Sequence, residues 1–197
     1  MKKLAILATL FALFFNDADL NWTELKKVNF PIIKGKYLVM DKSDQTLYLI
    51  ENEKIKGKYP AVYGNTSGQK ELRGDNKTPE GIYTICYKNS NSEWTLFFGI
   101  NYPNTRDARE GLEKGIIGRE EYELIKQNSC PKKWYTPLGG EIGIHGTSKE
   151  YPYLTPITQS SQILKQNWTN GCIGLTNENI SSLEKEISIG TKIIIRE

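Results

Sequence analysis

Ile142-Gly143-Ile144-His145-Gly146-Thr147 and, further on, Thr169-Asn170-Gly171-Cys172-Ile173-Gly174-Leu175 are the stretches on which the reading of this chain turns. Each has the composition of a short β-strand, isoleucine set among glycines. The strand expected at Ile142–His145 ends on the only histidine in the chain, and the strand-like run Gly171–Leu175 carries a cysteine near its start. The two residues are 27 positions apart, so only the fold can bring them together; two adjacent strands would do it. Glycine on either side allows close approach of the backbone to a reacting carbonyl, with Gly171 and Gly146 as candidate backbone support for an oxyanion. A free thiol titrates near pH 8.5 and needs a base to become a nucleophile; an imidazole can take its proton. His145 and Cys172 are therefore the candidate catalytic pair of a cysteine acyl-transfer site. The plain alternatives are a small buried hydrophobe for Cys172 and a satisfied core or surface imidazole for His145.

Outward from these stretches the chain reads as strands and turns. Tyr37–Met40, Thr46–Ile50, Lys58–Tyr63, Gly81–Tyr87, Leu96–Ile100 and Thr191–Ile195 are rich in β-branched and aromatic residues, and Lys42-Ser43-Asp44-Gln45 reads as a hairpin turn. A further turn is expected near Asn52 to Gly57, and a loop over 64–77. Helical composition appears between Asp107 and Asn128, broken by Gly115 and Gly118. Thr176 is placed as the N-cap of a helix running to about Glu186. Residues 147–168 contain Pro152 and Pro156 and read as a covering loop, with a helix at Ser160–Gln166. Within it Tyr153, and after it Trp168 and Thr169, are candidate substrate-binding residues; core packing is the competing role for the two aromatics. The fold class expected is mainly β, with a few flanking helices.

Lys2 and Lys3 precede the apolar run Leu4–Phe15, the layout of a secretory signal peptide and too short for a comfortable membrane span. The division expected is 1–18 as signal peptide or short anchor, 19–35 as a lead-in with Trp22, Leu25 and Val28 at helical spacing, and 36–196 as the catalytic domain. Export to the periplasm or cell wall follows, with membrane contact only if the first segment is retained. Cys86 and Cys130 could then pair, leaving Cys172 free; two reduced core cysteines are the alternative. A single histidine and no CxxC argue against a metal, and the absence of a phosphate loop, a dinucleotide fingerprint and a basic run argues against a nucleotide cofactor or nucleic acid. The net charge of +3 is too mild to demand a polyanionic partner.

The His-Gly-Thr and Gly-Cys-Ile blocks resemble the signature of the L,D-transpeptidase catalytic domain family (YkuD-type). Supporting blocks are Tyr37–Gly64, Lys77-Thr78-Pro79-Glu80-Gly81-Ile82-Tyr83, Asn101-Tyr102-Pro103-Asn104 with Asp107, Trp168-Thr169, and Asn177-Glu178-Asn179-Ile180; several are similar to the murein- and lipoprotein-processing branch. The resemblance implies a β-sandwich over residues 36–196 that cross-links peptidoglycan, with Cys172 as nucleophile and His145 as its base. It implies peptidoglycan stem peptides as partners, a thioester formed on a tetrapeptide stem with release of D-alanine, and transfer to an amine, or to a lipoprotein lysine. Water as acceptor would make the same scaffold a carboxypeptidase or endopeptidase, and a non-catalytic wall-binding module is the third possibility. Many members of the family carry arginine two residues after the cysteine; this chain has Gly174.

Overall fold

The computed structural model describes residues 33–128, 130, 136–149 and 167–197. The signal-like segment, residues 19–32 of the lead-in, Tyr153 and the helix expected at Ser160–Gln166 lie outside the described residues.

Eight strands form one curled sheet: β1 (Lys36–Asp41), β2 (Thr46–Glu51), β3 (Lys54–Pro60), β4 (Gly81–Asn89), β5 (Phe97–Ile100), β6 (Gly143–His145), β7 (Ile173–Gly174) and β8 (Lys192–Arg196), in the spatial order β3-β2-β1-β8-β4-β5-β6-β7. Among the described residues three helices flank it: α1 (Thr105–Glu113), α2 (Arg119–Gln127) and α3 (Asn177–Glu184). The mainly β class is as expected from sequence. β8, the last strand in sequence, lies in the middle of the sheet, parallel to β1 and antiparallel to β4. Its run Ile193-Ile194-Ile195 is apolar on both faces because both faces are buried.

The curl is made by β4. Its first half, Gly81–Thr84, pairs with β8, and its second half, from Ile85 on and with a register shift between Ile85 and Tyr87, pairs with β5. One irregular strand thus belongs to two sheet halves, and the principal core, including Leu38, Leu49, Tyr83, Phe98, Ile144, Ile173 and Ile193, fills the space between them. The ends of the sheet also meet. Past β3, the Val62 amide donates to the Gly174 carbonyl (3.0 Å) and the Gly174 amide to the Val62 carbonyl (2.8 Å).

Two expectations shift. β3 begins at Lys54, four residues before the strand expected at Lys58, because Asn52 and Glu53 both take positive φ (50° and 61°) and close a two-residue hairpin. The cysteine-bearing stretch is shorter than expected: only Ile173 and Gly174 are strand, and Cys172 stands just ahead of it. α1 and α2 are separated where Gly115 takes φ +69°, and Asn104 caps α1 by accepting from the Arg106 and Asp107 amides. Thr176 caps α3 as expected, accepting from Asn179 N–H. Cys86 in β4 and Cys130 after α2 are joined in a disulfide with Cα atoms 5.5 Å apart, and Cys172 is the free cysteine.

Candidate active site

His145 is the last residue of β6, and Cys172 immediately precedes β7. The two strands are parallel, with Ile144 opposite Ile173 and His145 opposite Gly174. In this register Cys172 stands two positions short of the level of His145, and both residues line one cavity of about 990 Å³. Trp168 and Thr169 line it too, with Trp94, Phe97, Tyr87 and Glu141.

The cysteine is held through the backbone around it. Gly171 has φ +130°, and a Cβ there would lie 2.7 Å from the Lys77 carbonyl, so only glycine fits this turn. The Thr78 hydroxyl donates to the Gly171 carbonyl (2.8 Å) and accepts from the Gly64 amide (2.8 Å), tying the polar loop 64–80 to the cysteine turn. Thr169 closes the turn from within: its hydroxyl donates to the Cys172 carbonyl (2.6 Å) and accepts from the Gly171 amide (3.2 Å). The Thr169 hydroxyl is therefore engaged inside the loop rather than offered to the cavity.

The imidazole is enclosed by aromatic rings. Trp94 lies 5.0 Å from it between centroids, Trp168 meets it edge-on at 5.7 Å, and the Phe97 ring is nearly parallel to it at 6.3 Å. Nδ1 is 2.7 Å from the Gly146 carbonyl, which fixes the ring with Nδ1–H donating and Nε2 open as acceptor. The Gly146 amide is turned into the fold, donating to the Trp94 and Leu96 carbonyls (3.1 and 3.3 Å), and a Cβ at Gly146 would press on Asn177 Oδ1 at 2.5 Å. Neither glycine amide thus faces the cavity unpaired; Gly146 contributes its carbonyl and Gly171 the turn.

Burial pushes the Cys172 thiol up to about 11; the Gly143 backbone and the Lys70 ammonium oppose the rise, and the Glu141 carboxylate adds to it. The thiol donates to the Glu141 carbonyl at 3.5 Å. Burial also holds His145 below its ordinary value, with the Gly146 carbonyl pulling weakly the other way. At neutral pH the thiol keeps its proton and the imidazole is neutral.

Sequence reasoning singled out Trp168 but passed over Trp94, Phe97 and Thr78. Phe97 in its strand reads as core by default, Trp94 lies in a turn with no motif around it, and the Lys77–Tyr83 block that contains Thr78 does not announce a partner 93 residues away.

The described residues form a curled eight-stranded sheet with a histidine ending one short strand and a free cysteine just ahead of the neighbouring one. Residues 35–195 match the family model of the YkuD L,D-transpeptidase catalytic domain, and the chain belongs to that family. It is 22% identical over 167 residues, 85% of this chain and 74% of the relative, to the Bacillus subtilis (strain 168) protein named Putative L,D-transpeptidase YqjB. Among solved structures it is similar to Bd1075 of Bdellovibrio bacteriovorus (25% identity, TM-score 0.50, covering 83% of this chain and 48% of that one). It shares its fold with the helical cell shape determining protein Pgp2 of Campylobacter jejuni (K307A mutant; 21% identity, TM-score 0.54, 91% and 54%). The chain spans about half the length of these two solved proteins.

Proposed function

We propose that this protein is an exported peptidoglycan L,D-transpeptidase that works through a thioester on Cys172. The observation that carries the reading is the placement of a neutral, ring-enclosed His145 and the free Cys172 on one cavity by the β6–β7 pairing. The thiol turns from the Glu141 carbonyl to the imidazole and gives its proton to Nε2. The sulfur then attacks the carbonyl of the L-centre of the diamino acid in a tetrapeptide stem. The Cys172 amide, at the head of β7, is the backbone donor we assign to the developing oxyanion. The imidazolium protonates the departing D-alanine amine as the C–N bond breaks, leaving the thioester. An acceptor amine attacks it, loses a proton to His145 and forms the 3→3 link, and the thiolate recovers that proton. Thr169 and Thr78 act as positioning residues for the nucleophile, and Trp168 lines the substrate side of the cavity. Export is supported by the Cys86–Cys130 disulfide and by the N-terminal layout; no helix among the described residues is long and apolar enough to cross a membrane.

The test is mass spectrometry of products formed from purified disaccharide-tetrapeptides. Dimers with 3→3 links that disappear in Cys172→Ala are the expected result. Tripeptides alone would assign the acceptor role to water and make the protein a carboxypeptidase. Products undiminished in Cys172→Ala would end the mechanism.

A further inference from the structure

β4 changes faces on its way to the cavity. Ile85 stands opposite Ile100, and both belong to the principal core. Side chains alternate along a regular strand, so Tyr87, two residues on, would point into the core as well. It does not. Tyr87 stands opposite Gly99, the residue next to Ile100, so Cys86 is an extra residue with no rung of its own in the ladder. This bulge turns over the side chains beyond it. Tyr87 joins the cavity wall, and Lys88 comes level with the core residue Phe98, its ammonium 5.2 Å from the ring centroid. Cys86 is also the residue bonded to Cys130, so the disulfide holds the chain where the two faces exchange.

From the bulge a row of rings runs to the imidazole. The Tyr87 ring lies over Gly99, where a Cβ would collide with it, and stacks on Phe97 with centroids 5.8 Å and planes 29° apart. Phe97, opposite His145 in the β5–β6 ladder, lies over Gly143 in the same manner, and its plane is 8° from that of the imidazole. We propose that the Cys86–Cys130 disulfide is a positioning element of the active site. By pinning the bulge it keeps Tyr87 on the cavity face against Phe97, and through Phe97 it holds the plane of His145. The kinetic consequence rests on the transpeptidase reading; the ring placement does not. Neither half of the disulfide belongs to the described cavity wall, so the bond acts through Tyr87.

The experiment breaks the bond with a water-soluble phosphine. The S–S bond gives two thiols, the phosphine becomes its oxide with oxygen from water, and the two protons of that water go to the sulfurs; Cys172 is a free thiol before and after. Wild type and Tyr87→Leu, each oxidised and reduced, are compared at a temperature where circular dichroism shows them folded. The readouts are kcat and KM for D-alanine release and the NMR shifts of the His145 ring protons. Reduction is expected to lower wild-type kcat about tenfold with KM changed less, and to move the His145 shifts. Oxidised Tyr87→Leu is expected to show the same losses, and its reduction to add little, because the ring through which the bond acts is already gone. Gly99→Ala, which displaces Tyr87 with the bond intact, should lower kcat and move the shifts without any reductant. Equal losses on reduction in both backgrounds would show a bond that only stabilises the fold and would overturn the proposal. Unchanged kcat and unchanged His145 shifts, in the reduced wild type or in Gly99→Ala, would overturn it too. An oxidised wild type that releases no D-alanine would overturn the transpeptidase reading instead, and the His145 shifts would still decide the role of the disulfide.

Discussion

His145 can be watched alone, because no other imidazole exists in the chain. Its enclosure by Trp94, Phe97 and Trp168 excludes the water that would stabilise its charged form, so its NMR titration midpoint is expected below 6.5. Trp94→Ala should admit water and move the midpoint up towards 6.5, carrying the acid limb of the pH–rate profile with it. A midpoint that stays put would assign the depression to something other than the rings. The same depression affects stability. As pH falls through 6.5 the unfolded chain takes up the proton first, so the His145 contribution destabilises the fold progressively below that pH. For Cys172 the expected sign is opposite. With the thiol pushed up to about 11, the rate of alkylation by iodoacetamide in the free protein should rise about tenfold per pH unit from 7 to 10. A plateau below pH 9 would reveal a thiolate–imidazolium pair instead.

At the scale of elements, the turn that carries Cys172 is tied to the loop that carries Thr78. Thr78 is buried and spans Gly64 and Gly171 with one hydroxyl. Thr78→Val keeps the shape and orphans a buried amide and a buried carbonyl, which should cost about 1–3 kcal/mol in urea unfolding. Because the freed Gly171 carbonyl lets the cysteine turn relax, kcat for D-alanine release is expected to fall roughly tenfold with KM little changed, since losing the aim of one oxyanion donor costs about this much or more. Thr78→Ser restores the hydroxyl and should recover most of both; failure of serine to rescue would show that the methyl group, not the bond, matters.

Elements also show what sequence could reveal. That His145 and Cys172 would share one site was an expectation drawn from the single histidine and from two glycine-flanked, strand-like stretches, and the two residues do line one cavity. The strands β1, β2, β4 and β8 were legible because their apolar runs are long enough to overrule their neighbours. β3 was half hidden: exposed Lys54, Lys56 and Lys58 alternate with Ile55, Gly57 and Tyr59, and the turn before it uses Asn52-Glu53 where asparagine-glycine would have signalled a hairpin. The ring enclosure of His145 was not legible at all, since Trp94 and Phe97 reach it only after β5 pairs with β6.

For the molecule as a whole, the Cys86–Cys130 disulfide ties β4, just before Tyr87 of the cavity wall, to the chain leaving α2. It closes a loop with a sequence separation of 44 that contains β5, α1 and α2. Removing that constraint in Cys86→Ser/Cys130→Ser should destabilise the protein by about 2–4 kcal/mol. The check is the urea midpoint of the double variant against the oxidised protein; equal midpoints would mean that the helices dock as firmly without the link.

The meeting of the two sheet ends at Val62 and Gly174 bears on stereochemistry. β7 is occupied on one side by β6 and on the other by Val62, so no peptide can lie alongside the nucleophile as an added strand. Ladder pairing of that sort demands successive residues of one hand, and a stem peptide mixes L and D centres. By denying its guest a rung-by-rung grip, the closed sheet frees recognition from main-chain handedness and leaves it to the contour and charge of the cavity, which suits a ligand whose chirality changes along its length.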